Sequence, residues 1–228
     1  MTIVRPAMFF SGGATPAAEI SYVSQAGDSS GGFNSSRTFS GMSFGAADSA
    51  RRMFCCVGWD NAGAGFSDIT AVTIGGISAT KVIVTNTSDK ACSIWYADVP
   101  TGTSGSVVLT GNAWGLAISL YRALNVGSIF DSASVTSSTN SVSTTVDAEN
   151  EGIIVASSYV TASNLSGANM VWTGVTEGND QAGANIARRQ GSGYLEVTSD
   201  ETGRTVTETC SGSSSYQHCL CVASYSKA

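Results

Sequence analysis

Short runs rich in Val, Ile, Thr and Tyr recur roughly every 8–15 residues, and no stretch between them carries the apolar periodicity of an amphipathic helix. Such a chain must build its core from sheets. The strand-like runs are 19–25, 38–44, 52–59, 71–74, 79–85, 92–99, 105–110, 115–123, 132–137, 142–146, 152–160, 170–177, 185–189, 194–198, 204–209 and 217–225. Without crossover helices these strands pair as an antiparallel, jelly-roll-like β-sandwich, an all-β fold. The expected organisation is an amino-terminal arm, residues 1–18, followed by a single sandwich domain, residues 19–228. Residues 46–52 are the one segment that suggests a helical turn.

Two kinds of strand are distinguishable. Met53-Phe-Cys-Cys-Val57 and Gly152-Ile-Ile-Val-Ala156 are continuously apolar, as expected of strands covered on both faces or buried at a subunit interface. Ser106-Val-Val-Leu-Thr110 and Tyr194-Leu-Glu-Val-Thr198 fit half-buried strands with one wet face. Turns rely on glycine, with 26 Gly against three Pro. Gly75-Gly76 between two β-rich runs signals a hairpin, because glycine reaches the positive φ of primed turns at no steric cost. In Pro100-Thr-Gly-Thr-Ser-Gly105, Pro presets φ and Gly102 supplies the positive φ after it. The Ser- and Thr-rich stretch 131–145 reads as an exposed hairpin, since Val142 and Val146 keep a period of two.

Only 12% of the 228 residues are charged, about half of the roughly 25% usual in globular proteins. With 42% apolar residues, that balance excludes intrinsic disorder, and no apolar run approaches the ~20 residues of a membrane helix. The net charge of −6 and the scattered basic pairs Arg51–Arg52 and Arg188–Arg189 disfavour nucleic acid as a partner. The amino terminus lacks the apolar core of a secretion signal, so an ordered or semi-ordered arm is expected there.

Ala71-Val-Thr-Ile-Gly-Gly76, together with Ser93-Ile-Trp-Tyr-Ala-Asp-Val-Pro-Thr-Gly-Thr-Ser-Gly-Ser-Val-Val-Leu-Thr110, resembles a pattern found in β-sandwich virion proteins of tailed bacteriophages and prophages. Arg51-Arg-Met-Phe-Cys-Cys-Val-Gly-Trp59 and Ile118-Ser-Leu-Tyr-Arg-Ala-Leu124 look like the same pattern continued. The resemblance covers roughly residues 18–125. It implies a capsid decoration protein or a module of a tail fibre or collar, and it implies no catalytic residues. Residue alternation within the motif aims Trp95 and Ala97 to one side and Tyr96 and Asp98 to the other.

Six cysteines are the chemical oddity: Cys55, Cys56, Cys92, Cys210, Cys219 and Cys221. Reduced, buried thiols are the default reading. Adjacent strand residues face opposite ways, so Cys55 and Cys56 enter different environments, whereas Cys219 and Cys221 share a face. A virion passes from a reducing cytoplasm to oxidising surroundings, so cysteines near subunit contacts are candidates for disulfide crosslinks within or between chains. Zinc is disfavoured, because His218-Cys-x-Cys221 lacks the two-residue knuckle of structural sites. A Cys92 nucleophile with His218, the lone histidine, has no support beyond arithmetic. Asp98, Asp131, Glu196, Glu201 and Glu208 are candidate acids for glycan cleavage, though acids in turns more often bend the backbone. Glu177-Gly-Asn-Asp180 offers oxygen ligands without a calcium-loop pattern. Trp59, Trp95 and Trp172 suit a core, and Trp114, expected in a loop, is the candidate glycan contact.

These readings converge on a non-enzymatic virion structural protein, assembled in the host cytoplasm, that binds the major capsid protein or neighbouring copies and reinforces the shell. A homo-oligomer is expected and no cofactor or metal. Met8, Phe9 and Phe10 in the arm are the candidate assembly contact. The alternative is a tail-fibre or collar module that binds host surface polysaccharide.

Overall fold

The computed structural model describes residues 15–27, 35–60, 68–87, 90–182, 187–212 and 216–228. Met8, Phe9 and Phe10 lie outside the described residues. The fold is all-β and built of antiparallel sheets. Its strands are β1 (Glu19–Gly27), β2 (Ser36–Ser43), β3 (Arg52–Asp60), β4 (Ile69–Ile74), β5 (Ile77–Ser78), β6 (Thr80–Asn86), β7 (Lys90–Asp98), β8 (Ser104–Gly111) and β9 (Trp114–Leu124). They continue as β10 (Val126–Ser137), β11 (Ser141–Ala148), β12 (Ile153–Thr161), β13 (Met170–Thr173), β14 (Thr176–Ala182), β15 (Arg188–Glu196), β16 (Glu201–Cys210) and β17 (Gln217–Lys227).

The sheets have orders β1-β9-β3-β7-β6, β2-β8-β4-β5, β10-β17-β12-β15-β14 and β11-β16-β13. The first two enclose one core, which includes Met53, Cys55, Val57, Trp59, Leu109 and Leu116. The last two enclose another, with Ile154, Ala156, Val206, Leu220 and Val222. Between these sandwiches, the two five-stranded sheets pack on each other through Phe54, Cys56, Tyr121, Val155, Tyr159 and Tyr225. Where the sequence suggests one sandwich, the structure stacks two, four sheets deep.

The two sandwiches repeat one topology. Apart from the two-residue β5, strands β1, β2, β3, β4, β6, β7, β8 and β9 occupy in order the places of β10 to β17. Three backbone hydrogen bonds fix the equivalence residue by residue. Arg51 N donates to Asp48 O as Gly152 N donates to Glu149 O; Val99 N donates to Arg51 O as Val197 N to Gly152 O; Gly111 N donates to Ser35 O as Cys210 N to Asn140 O. Counting from these anchors, Tyr96-Ala-Asp-Val99 falls on Tyr194-Leu-Glu-Val197, a repeat also visible in the sequence.

Contacts between the sandwiches are reciprocal, as across a two-fold axis. Strand β6 meets β10 while its counterpart β14 meets β1, and β7 meets β12 while β15 meets β3. Tyr96 packs on Tyr225 with ring centroids 6.2 Å apart, and its counterpart Tyr194 packs on Tyr121 at 5.5 Å. The equivalent strands β3 and β12 cross at the axis.

Three local expectations change. Residues 46–51 form a bend, a turn and irregular backbone before Arg52 opens β3, and no helix occurs among the described residues. The segment is held instead by Arg51, 1% exposed, whose guanidinium donates to the carbonyls of Phe44, Gly45, Ala46, Val99, Thr101 and Gly102. The run 170–177 breaks into β13 and β14 at Gly174, where φ is 86° and a Cβ would lie 2.1 Å from Thr205 O. Residues 188–189 of the first of the two runs 185–189 and 194–198, and 194–196 of the second, belong to one strand, β15, because Gly191 and Gly193 sit inside a paired strand, not at a turn; 185 and 186 lie outside the described residues.

At the axis Gly58 lies opposite its own counterpart, Tyr159, and a Cβ on Gly58 would be 2.4 Å from Tyr159 Cδ2. Gly58→Ala should therefore cost about 1–3 kcal/mol by overpacking. Urea unfolding reads this as a lowered midpoint at constant slope; an unchanged midpoint would mean the strands do not approach so closely.

Candidate functional site

Asp60 ends β3 at the seam between the sandwiches and is fully buried. Its carboxylate takes Lys90 Nζ at 2.9 Å on one oxygen, and Arg188 Nε at 2.9 Å and Nη2 at 2.7 Å on the other. Lys90 and Arg188 are equivalent residues, each the first of its strand, β7 and β15. The counterpart of Asp60 is Thr161. All four line a cavity of about 290 Å³, with Ala162, Ala187 and Gln217. Two polar atoms of residues lining it, Arg188 Nη1 and Gln217 Oε1, are buried without a hydrogen-bond partner.

Trp114 begins β9 instead of lying in a loop, because it pairs with Asp60 in the ladder. Its ring stacks on the Arg188 guanidinium, with the carbon 4.0 Å from the centroid. Trp114 thus braces the seam cluster, and one face of the proposed sugar platform is already covered. Trp59 and Trp95 are core residues and Trp172 is buried in the second sandwich, as expected.

The cysteines are all free and all buried. Cys55 faces the core of the first sandwich and Cys56 the contact between sandwiches, confirming their opposite orientation. Cys92, Cys219 and Cys221 also face that contact, and Cys210 lies in a small cluster with Met170 and Tyr216. Cys92 Sγ and Cys221 Sγ are 3.6 Å apart, close but not bonded as a disulfide. Their counterparts are Gln190 and Ser119, which hydrogen bond at 2.9 Å across the same interface. The thiol pair therefore occupies the place of an ordinary packing contact. All six thiols are buried within the chain, so a crosslink between chains, an expectation for cysteines near subunit contacts, would require one of them to be uncovered. Burial also disfavours the thiolate, pushing Cys55, Cys56 and Cys92 well above the usual thiol range and Cys210 up to about 12.

Strand alternation removes the other cysteine chemistries. His218 faces the interior of the second sandwich while Cys219 and Cys221 face the opposite side of the sheet, so neither a zinc set nor a Cys92–His218 pair assembles. No group of three metal-ligating side chains occurs among the described residues. His218 instead meets Glu208 and Ser158, all three fully buried. Ser158 Oγ donates to Glu208 Oε2 at 2.9 Å and lies 3.1 Å from His218 Nε2. Hydroxyl and carboxylate thus share one ring nitrogen, whereas a nucleophilic relay uses both. His218 Nδ1 and Glu208 Oε1 have no partner.

The remaining acids serve the backbone or pair with arginine. Asp98 binds Arg52, Glu201 binds Arg204, and Asp180 of the 177–180 stretch binds Arg189. Asp131 accepts from the amides of Ser132 and Asp147, and Glu196 from the amide of Ile20. Sequence reading missed the seam cluster, which joins residues from three strands of two sandwiches. The signal that could have found it is the Tyr-x-acid-Val repeat at 96–99 and 194–197, which brings Lys90 and Arg188 into register.

No protein-family model matches the chain, and no curated protein or solved structure is significantly similar to it.

Two outcomes test these assignments. A thiol-specific chromogenic reagent should label none of the six cysteines quickly in the native protein and all six after unfolding. The buried polar trio has apolar counterparts, Val57, Leu109 and Leu116, in the first sandwich. His218→Leu alone should cost about 3–5 kcal/mol by stranding Glu208, while Ser158→Val, Glu208→Leu and His218→Leu together should be neutral or stabilising by about 1–4 kcal/mol. Chemical denaturation of the two variants would distinguish these outcomes, and equal destabilisation of both would refute the equivalence.

Proposed function

We propose that the chain is a structural protein of a tailed-phage virion, a capsid decoration or minor capsid protein that binds the shell or neighbouring copies. The observation that carries this reading is the character of the two outer sheets. On β11 and β16 the outward residues pair as hydroxyls: Ser141 with Thr209 at 3.0 Å and Ser143 with Thr207 at 2.8 Å. Thr145 stands opposite Thr205, and the edge strand β13 adds exposed Val171 and Thr173. On the other outer sheet Thr38 and Thr73 flank Val108, and Ser36 and Ala71 flank Thr110.

A sheet face dominated by hydroxyls, on which Asp147 is the exposed acid of β11, can approach a like face or a shell lattice with little electrostatic cost, and hydroxyls satisfy one another when water leaves. The reactive groups point inward, which suits a rigid spacer better than a catalyst. The resemblance of residues 71–110 to virion β-sandwich proteins supports the same reading. With its thiols buried, the proposed role rests on packing of these faces and not on disulfides.

Quantitative mass spectrometry of purified particles should find the chain in many copies per virion. Ser143→Lys with Val171→Lys, both exposed, should leave stability within about 0.5 kcal/mol and reduce incorporation. Absence of the wild-type chain from purified particles would end the proposal, and undiminished incorporation of the variant would remove this face from it.

A further inference from the structure

The two-fold relation between the sandwiches shows what is missing from the seam cavity. Full symmetry would supply two carboxylates for the two equivalent cations, Lys90 and Arg188. Among the described residues lining the cavity only Asp60 supplies one, because Thr161 takes the place of its counterpart, and Asp60 engages both cations at once. The described side chains lining the cavity therefore carry one positive charge more than negative. Arg188 is 8% exposed and its Nη1 is unpartnered, which is costly for a buried guanidinium unless an acceptor arrives. Gln217 also lacks a partner for its buried Oε1, and an amide turned through 180° would offer its NH2 group at the same place.

We propose that this cavity binds a small oxyanion, a carboxylate or phosphate group, in the place of the absent second carboxylate. A planar guanidinium fixed on one edge by Asp60 and on its face by Trp114 is preorganised to accept such a group. Thr161 forms part of the cavity wall. The volume of about 290 Å³ lies at the small end of ligand sites, which run to roughly 1,000 Å³, and admits a single charged group or one acidic sugar residue. This site is independent of the structural role proposed above.

Differential scanning calorimetry of the full chain in sodium phosphate, sodium glucuronate or sodium chloride, at matched ionic strength and pH 7, tests the proposal. Phosphate or glucuronate should raise Tm by about 2–4 °C over chloride. A response to both identifies a general oxyanion site; glucuronate alone identifies the carboxylate of an acidic sugar, and phosphate alone a phosphate group. Thr161→Asp supplies the missing carboxylate, so it should keep Tm in chloride at or above the wild-type value and abolish the anion response. Gln217→Glu, read the same way, serves if Thr161→Asp does not fold. No anion-specific rise in the wild type, or a rise that survives the added carboxylate, overturns the proposal.

Discussion

Covering both faces of the two five-stranded sheets is the constraint on which the rest of the molecule depends. An antiparallel sheet ordinarily needs one apolar face, but β3, β12 and β17 are buried almost end to end on both. Odd-numbered residues of β3 face the first sandwich's core, and even-numbered Phe54 and Cys56 face the second sandwich. Each half alone would expose Phe54, Tyr121, Tyr159 or Tyr225, a patch too apolar to leave in water. Hydrogen bonds complete the contact: Tyr121 donates to Ser192, and Tyr159 donates to the carbonyl of Gly115.

Most of the strands were legible because their signals are local. Alternation and β-branched runs marked them, and the continuous apolar runs at 53–57 and 152–156 marked the strands buried on both faces. The division into two sandwiches was not legible from patterning, since a covering sheet from the same chain and one from another subunit demand the same residues. What could have revealed it is sparse: two tyrosines, two acids and two valines at 96–99 and 194–197, set among residues that differ between the halves. Trp114 shows the same limit. Its flanking glycines resemble a loop, yet its ladder partner is Asp60, more than fifty residues away.

The repeated topology provides an internal comparison for polar residues in a core. Val57, Leu109 and Leu116 show that the fold does not require polarity at these positions, so Ser158, Glu208 and His218 are a particular feature of the second half. Buried ionisable groups seldom add stability over a well-packed apolar alternative, though removing one partner is expensive. The cysteines give the opposite lesson. Cys92 and Cys221 stand where the symmetric contact uses Gln190 and Ser119, so the interface accepts a thiol pair or an amide and hydroxyl pair in one geometry.

The scarcity of charge follows from the same architecture. With four sheets stacked, both faces of two sheets and one face of the others lie inside, and the few ions that enter are held close: Arg51 by six carbonyls, Lys90 and Arg188 by Asp60. The outer faces are then free to carry Ser and Thr, which satisfy one another across strands at 2.8–3.0 Å. The sharing of one carboxylate by two buried cations is the exception to this economy. It occurs where the two-fold relation is broken, at Thr161, and a broken symmetry in an otherwise repeated interface is where a ligand has room to act.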